Sequence, residues 1–156
     1  PTKHPNAPPW IGSFLDAGGD GGQCGVPYDA RFRMPGDPDQ IASWAESRGG
    51  TVNNIMYGFD VGLVHFVVVS SEHDLDIGST QHTWLSAHLA AIDREWTPFV
   101  VLGLHRPIIS STEGGASAPE TVGQHTAINP LLLAHRVTVV VAGHYHQYER
   151  SCAVGA

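Results

Sequence analysis

Beyond residue 54 the chain falls into short apolar runs separated by turn-forming residues, and these runs set its predicted elements. Residues 55–59 and 63–69 are β-rich and flank Asp60-Val61-Gly62, a hairpin signature that pairs them antiparallel. Ser79 or Thr80 can cap a helix in which Trp84, Leu85, Leu89 and Ile92 recur at helical spacing, while His82, Ser86 and Arg94 fall off that stripe. Phe99 to Leu104 is a continuous apolar run of strand length, predicted to be buried on both faces. A Ser/Gly/Ala loop over residues 110–123 leads to a predicted helix at 128–135, with Pro130 in its first turn, and then to a second fully apolar strand over 137–142.

Residues 1–54 follow a different pattern. Breakers such as Gly18-Gly19-Asp20-Gly21-Gly22 and Met34-Pro35-Gly36-Asp37-Pro38 predict mostly irregular chain, with one short helix over 39–48. Trp10, Phe14, Tyr28, Phe32 and Trp44 punctuate it, which implies segments pinned to a neighbouring surface. The glycine-rich patch has no preceding strand and no following Gly-Lys-Ser/Thr, so it is read as a loop and not as a phosphate cradle. Strands alternating with helices predict a layered α/β fold in one unit, residues 1–156.

Charge narrows the partners. A formal charge of -7 with no Lys/Arg cluster gives no electrostatic reason to bind nucleic acid or an anionic membrane surface, and no apolar run approaches membrane-spanning length. An anionic substrate would need positive charge from elsewhere, and ten histidines make bound metal ions the natural source. Cys24 and Cys152 are either a bridge or two separate thiols. The opening at Pro1 reads as a cut end, without the apolar run of a signal peptide.

The chemistry concentrates where two predicted strands end. Gly143-His144-Tyr145-His146 follows the last strand, and two imidazoles on alternate residues there can diverge towards two adjacent metals. His105, in Gly103-Leu104-His105-Arg106-Pro107, ends the preceding strand, and Arg106 beside it can orient a carboxylate or face a phosphate. Three imidazoles at one sheet edge point to metal. His65 and His73 are read as hydrogen-bonded structural histidines, and His125 as a surface residue outside the catalytic set.

Gly103-Leu104-His105-Arg106-Pro107 and Gly143-His144-Tyr145-His146-Gln147-Tyr148-Glu149-Arg150 closely resemble the last two metal-binding motifs of the purple acid phosphatases, a branch of the calcineurin-like metallophosphoesterases. The segments around Cys24, Arg31-Phe32-Arg33-Met34-Pro35, Tyr57-Gly58-Phe59-Asp60, Val64-His65-Phe66 and Ser71-Glu72-His73-Asp74 are similar to the family's intervening segments, in the same order. The resemblance implies an αββα metallophosphoesterase sandwich of which this chain is the C-terminal portion only, with the N-terminal part of the catalytic domain missing. It implies that His105 and His144 bind a divalent ion (Zn, Mn or Fe) and that His146 binds a second, usually ferric, ion. Arg106, Glu149 and Arg150 become candidates for supporting those ligands.

The family's aspartate, tyrosine and asparagine ligand motifs have no match in residues 1–156. The fragment alone is therefore expected to bind metal weakly and to be weakly active or inactive. For the intact enzyme the resemblance implies acid phosphatase activity on phosphomonoesters, secretion or a vacuolar location, and a Cys24–Cys152 bridge. Two alternatives accompany it: another phosphodiesterase or nucleotidase of the superfamily, and a non-catalytic binding module.

Overall fold

A computed structural model describes residues 31, 32, 34, 35, 56–71, 73–111 and 119–153, with side chains of 119–125 excluded. Six elements follow in order: β1 (Met56–Val61), β2 (Val64–Val69), α1 (Thr80–Ala91), β3 (Phe99–Leu104), α2 (Pro119–Ala134) and β4 (Val139–Ala142). The four strands form one sheet in the order β1-β2-β3-β4. β1 and β2 are the expected antiparallel hairpin, whereas β2, β3 and β4 run parallel. This is the mixed α/β architecture expected from the strand and helix pattern.

The hairpin turns one step later than its sequence suggests. Asp60 and Val61 remain in β1, paired with His65 and Val64, and the reversal falls on Gly62 and Leu63, with the φ of 57° at Gly62 in the left-handed region that glycine adopts without a Cβ clash. α1 starts as expected: Ser79 accepts a hydrogen bond from the His82 N–H, satisfying one of the helix's unpaired donors. Gln81, fully buried in the first turn, accepts from the Ser70 N–H at 2.7 Å and donates to the Ser70 carbonyl at 2.9 Å, which clamps α1 to the end of β2.

Two expectations are corrected. α2 is twice as long as the 128–135 helix expected, because it begins at Pro119, and proline's fixed φ is pre-organised for a helix's first turn. Pro130 consequently lies inside the helix, on its exposed side. The second correction concerns burial. On β3, Val100, Leu102 and Leu104 are buried, but Phe99 is half exposed, and Val139 and Val141 of β4 are also about half exposed.

The reason is that both helices lie on the same face. Val67, Val69, Val100, Leu102 and Leu104 share one side of the sheet by register and join Leu85 and Leu89 of α1 and Ala127, Ile128 and Leu132 of α2 in one core cluster. The opposite side presents Tyr57, Phe59, Val61, Val64, Phe66, Val68, Phe99, Val101, Val139 and Val141, an apolar face over which no described element packs. The expected 39–48 helix lies outside the described residues.

Candidate metal centre at the carboxyl ends of the parallel strands

β2, β3 and β4 end on the same edge of the sheet, and each hands over to a loop that carries polar side chains. β3 leads directly into His105 and Arg106, and β4 into Gly143 and His144. The Gly143 N–H donates to the His105 carbonyl at 2.9 Å, extending the β3–β4 pairing one step beyond the strands. His144 then takes φ 70°, a conformation unusual for a residue with a side chain, and the chain tightens through Tyr145 N–H to Gly143 carbonyl and Gln147 N–H to Tyr145 carbonyl bonds, both 2.8 Å.

That backbone brings two imidazoles together. His144 Nδ1 lies 3.3 Å from His105 Nε2, with the rings edge to face at 5.1 Å and 82°. Two nitrogens bound to one tetrahedral ion through bonds of roughly 2.0–2.1 Å would sit about 3.3 Å apart, so the donor types and their spacing fit two ligands of a single zinc-class ion. The Tyr145 ring lies against His144 at 5.0 Å. His146 is exposed and does not join the pair; among the described residues no group of three or more His, Cys, Asp or Glu side chains converges. The turn at His144 explains this, since it removes His146 from the side it would share with residue 144 in an extended strand.

Hydrogen bonds tie the two loops to each other and to the end of β2. The Arg106 N–H donates to Ser71 Oγ at 2.9 Å, and Ser71 is completely buried. Glu149 spans from the second loop to the first: it accepts from the Ser111 N–H at 2.8 Å, from Ser110 Oγ at 3.4 Å and from Gln147 Nε2 at 3.3 Å. The Ser111 backbone bond is the main reason its carboxyl titrates below the usual range. Glu149 thus holds the two histidine loops in register. Arg150 and Cys152 are exposed; Cys24 lies outside the described residues, as does the His125 side chain.

Of the other histidines, His73 pairs with Ser70 Oγ at 2.8 Å, the structural role expected of it. His65 is hydrogen-bonded as well, but to partners its sequence position does not reveal: Asp60 and His88. His88 follows Trp84 by one helical turn and stacks on it at 4.5 Å. Burial pushes the His88 imidazole down to about 4, with His65 adding to the effect and Asp60 opposing it.

Parallel strands with helices on one side define an α/β protein, and its ligand-type histidines lie beyond the carboxyl ends of those strands, where sheets of this kind commonly bind ligands. No family model matches the chain. Comparison with known proteins is more specific. The chain is 37% identical over 154 residues, 97% of its length, to "Probable inactive purple acid phosphatase 9" of Arabidopsis thaliana, of which it covers 23%. It is 38% identical over 123 residues to "Probable purple acid phosphatase 20" of the same plant, matching 79% of this chain and 26% of that one. The solved purple acid phosphatase PPD1 of yellow lupin (Lupinus luteus) seeds superposes on 86% of the chain and 22% of its own, with a TM-score of 0.67 and 26% identity. The chain belongs to the purple acid phosphatase family, and it spans about a quarter of the length of these relatives.

Proposed function

We propose that the protein to which this sequence belongs hydrolyses phosphomonoesters at a dinuclear metal centre, and that this segment contributes His105, His144 and His146 as ligands. The observation that carries the reading is the 3.3 Å approach of His105 Nε2 to His144 Nδ1 at the carboxyl edge of two parallel strands, in a chain of this family. Bound there, metal ions would polarise a phosphoryl oxygen and supply the positive charge that a chain of net charge -7 lacks.

The residues of this segment then divide the work. His105 and His144 take one ion as neutral imidazoles, and His146 turns towards the second, a role in keeping with its exposed position after the bend at His144. Glu149 and Ser71 fix the two loops, so that the ligands need little reorganisation on binding. Arg106, half-buried beside His105, is placed to meet the phosphate or an acidic residue of the remaining chain. The remaining ligands, a ferric ion with a divalent Zn, Mn or Fe partner, the Cys24–Cys152 bridge and an extracellular or vacuolar location are parts of the same proposal.

The relative called inactive makes activity the decisive measurement. A protein extended to the length of the relatives is expected to bind two metal ions and to release phosphate from an aryl phosphomonoester faster than from the corresponding diester. A preference for the diester would place the protein with the phosphodiesterases. Two bound ions without hydrolysis of either ester would show a binding module.

A further inference from the structure

A second set of ligand-type side chains meets at the opposite end of the sheet. β2 runs parallel to β3, so His65, near its start, lies at the end remote from His105. Asp60 faces His65 across the hairpin, with its Oδ1 2.6 Å from His65 Nδ1. In the neutral imidazole a carboxylate at Nδ1 favours the tautomer with its proton there, which leaves Nε2 a lone pair for a ligand. His65 Nε2 lies 2.9 Å from Nε2 of His88 on α1, whose ring is held by its stack on Trp84.

Glycine at position 58 is a condition of this meeting. A Cβ there would fall 2.3 Å from His88 Nε2 and 2.9 Å from His65 Nε2, so any side chain would drive the two rings apart. The pair opens on a pocket of about 350 Å³ that Asp60, Ile92, Asp93 and Trp96 also line. A carboxylate behind one imidazole, two ring nitrogens face to face and room for water beside them form the arrangement that orients histidines for a metal.

We propose that His65 and His88 bind a divalent transition ion of the zinc class through their Nε2 atoms, with Asp60 orienting His65 and pocket water completing the coordination shell. Without the ion, the two nitrogens share a proton at 2.9 Å. With it, tetrahedral geometry separates them to about 3.3 Å, a small opening that the rings make by rotating towards the pocket. No third His, Cys, Asp or Glu donor converges here among the described residues, so the ion exchanges with solvent more readily than one in a closed structural site. The site stands apart from the histidine edge and does not depend on the phosphatase reading.

The test uses the full chain carrying His105→Ala, His144→Ala and His146→Ala, titrated with Co²⁺ alone and followed by the intense visible bands of tetrahedral cobalt. One equivalent is expected to bind. Adding His88→Gln should abolish the bands, and adding Asp60→Asn should weaken binding roughly 10–100-fold with an unchanged far-ultraviolet circular dichroism spectrum. Absence of tetrahedral bands in the parent would overturn the proposal and leave a shared proton only, as would equal binding after His88→Gln. Asp60 is half exposed, so its variant keeps the test decisive if His88→Gln fails to fold.

Discussion

The two ends of the sheet hold histidine pairs of similar spacing built in different ways. At the carboxyl edge, His105 and His144 sit 3.3 Å apart on loops that follow parallel strands, held by backbone bonds and by Glu149 from outside. At the other end, His65 and His88 sit 2.9 Å apart on a strand and a helix, with Asp60 and Trp84 fixing the rings. Loop-borne ligands can accommodate groups from the rest of a larger protein, whereas element-borne ones are locked by the packing of the sheet against α1. The first end therefore suits a site shared with more chain, and the second a self-contained one.

Removing a histidine from the carboxyl edge should have the strongest consequence. His144→Ala is expected to weaken zinc binding at that edge by at least about a hundredfold, because one of two close ligands is lost, while His88→Gln leaves it within a factor of about two. Isothermal titration of each variant, with the remote pair disabled in the first, reads both numbers. Equal losses would mean that the two ends are coupled.

A pair of glycine substitutions sharpens the contrast in rigidity. Gly58→Ala places a methyl group 2.3 Å from His88 Nε2 and is expected to cost about 1–3 kcal/mol in urea denaturation, the range for overpacking. Gly143→Ala meets only ordinary contact, 3.6 Å from His105 Nδ1, and is expected to stay within about 0.5 kcal/mol of the parent. The reverse order would contradict a locked remote end and an adaptable edge.

The remote end also predicts a pH response in metal-free protein. His88 is held neutral down to about 4 in the folded state, chiefly by burial, while in the unfolded chain it takes up a proton near 6.5. Between those values the unfolded state binds more protons, so stability is fully present above about 6.5 and declines as pH falls towards 4. His88→Gln should flatten that decline in denaturation midpoints measured with a chelator present. The smallest effect is expected from Glu149→Gln, which keeps an acceptor for the Ser111 N–H but loses its charge. Zinc affinity at the carboxyl edge should drop by about tenfold or less, with the stability of the chain nearly unchanged.

The carboxyl edge was legible in the sequence because local patterns carried it. Apolar runs predicted β2 and β3, the capping choice of Ser79 or Thr80 predicted the start of α1, and the two motifs placed His105 and His144 directly after strands. The remote trio was not legible, since His65 and His88 are 23 residues apart and only the sheet register together with the seating of α1 joins them. Gly58 beside a two-histidine contact is a signal only in three dimensions. The start of α2 was readable at Pro119-Glu120 but was masked by the small-residue loop assigned there.

Burial was misread for a different reason. Continuous apolar strands predict two covered faces, and here both helices occupy one, leaving Phe99, Val139 and Val141 outward on the other. An apolar sheet face over which no described residue packs, in a chain that spans about a quarter of its relatives, is consistent with packing against the rest of a larger fold.

We propose that the His105–His144 edge supplies metal ligands to a phosphatase. The most direct test measures metal content and phosphomonoesterase activity together in a protein extended to the relatives' length, with and without His144→Ala. Two ions and phosphate release in the parent, with an ion and the activity both lost in the variant, is the predicted result. A variant that keeps both ions and full activity would contradict it.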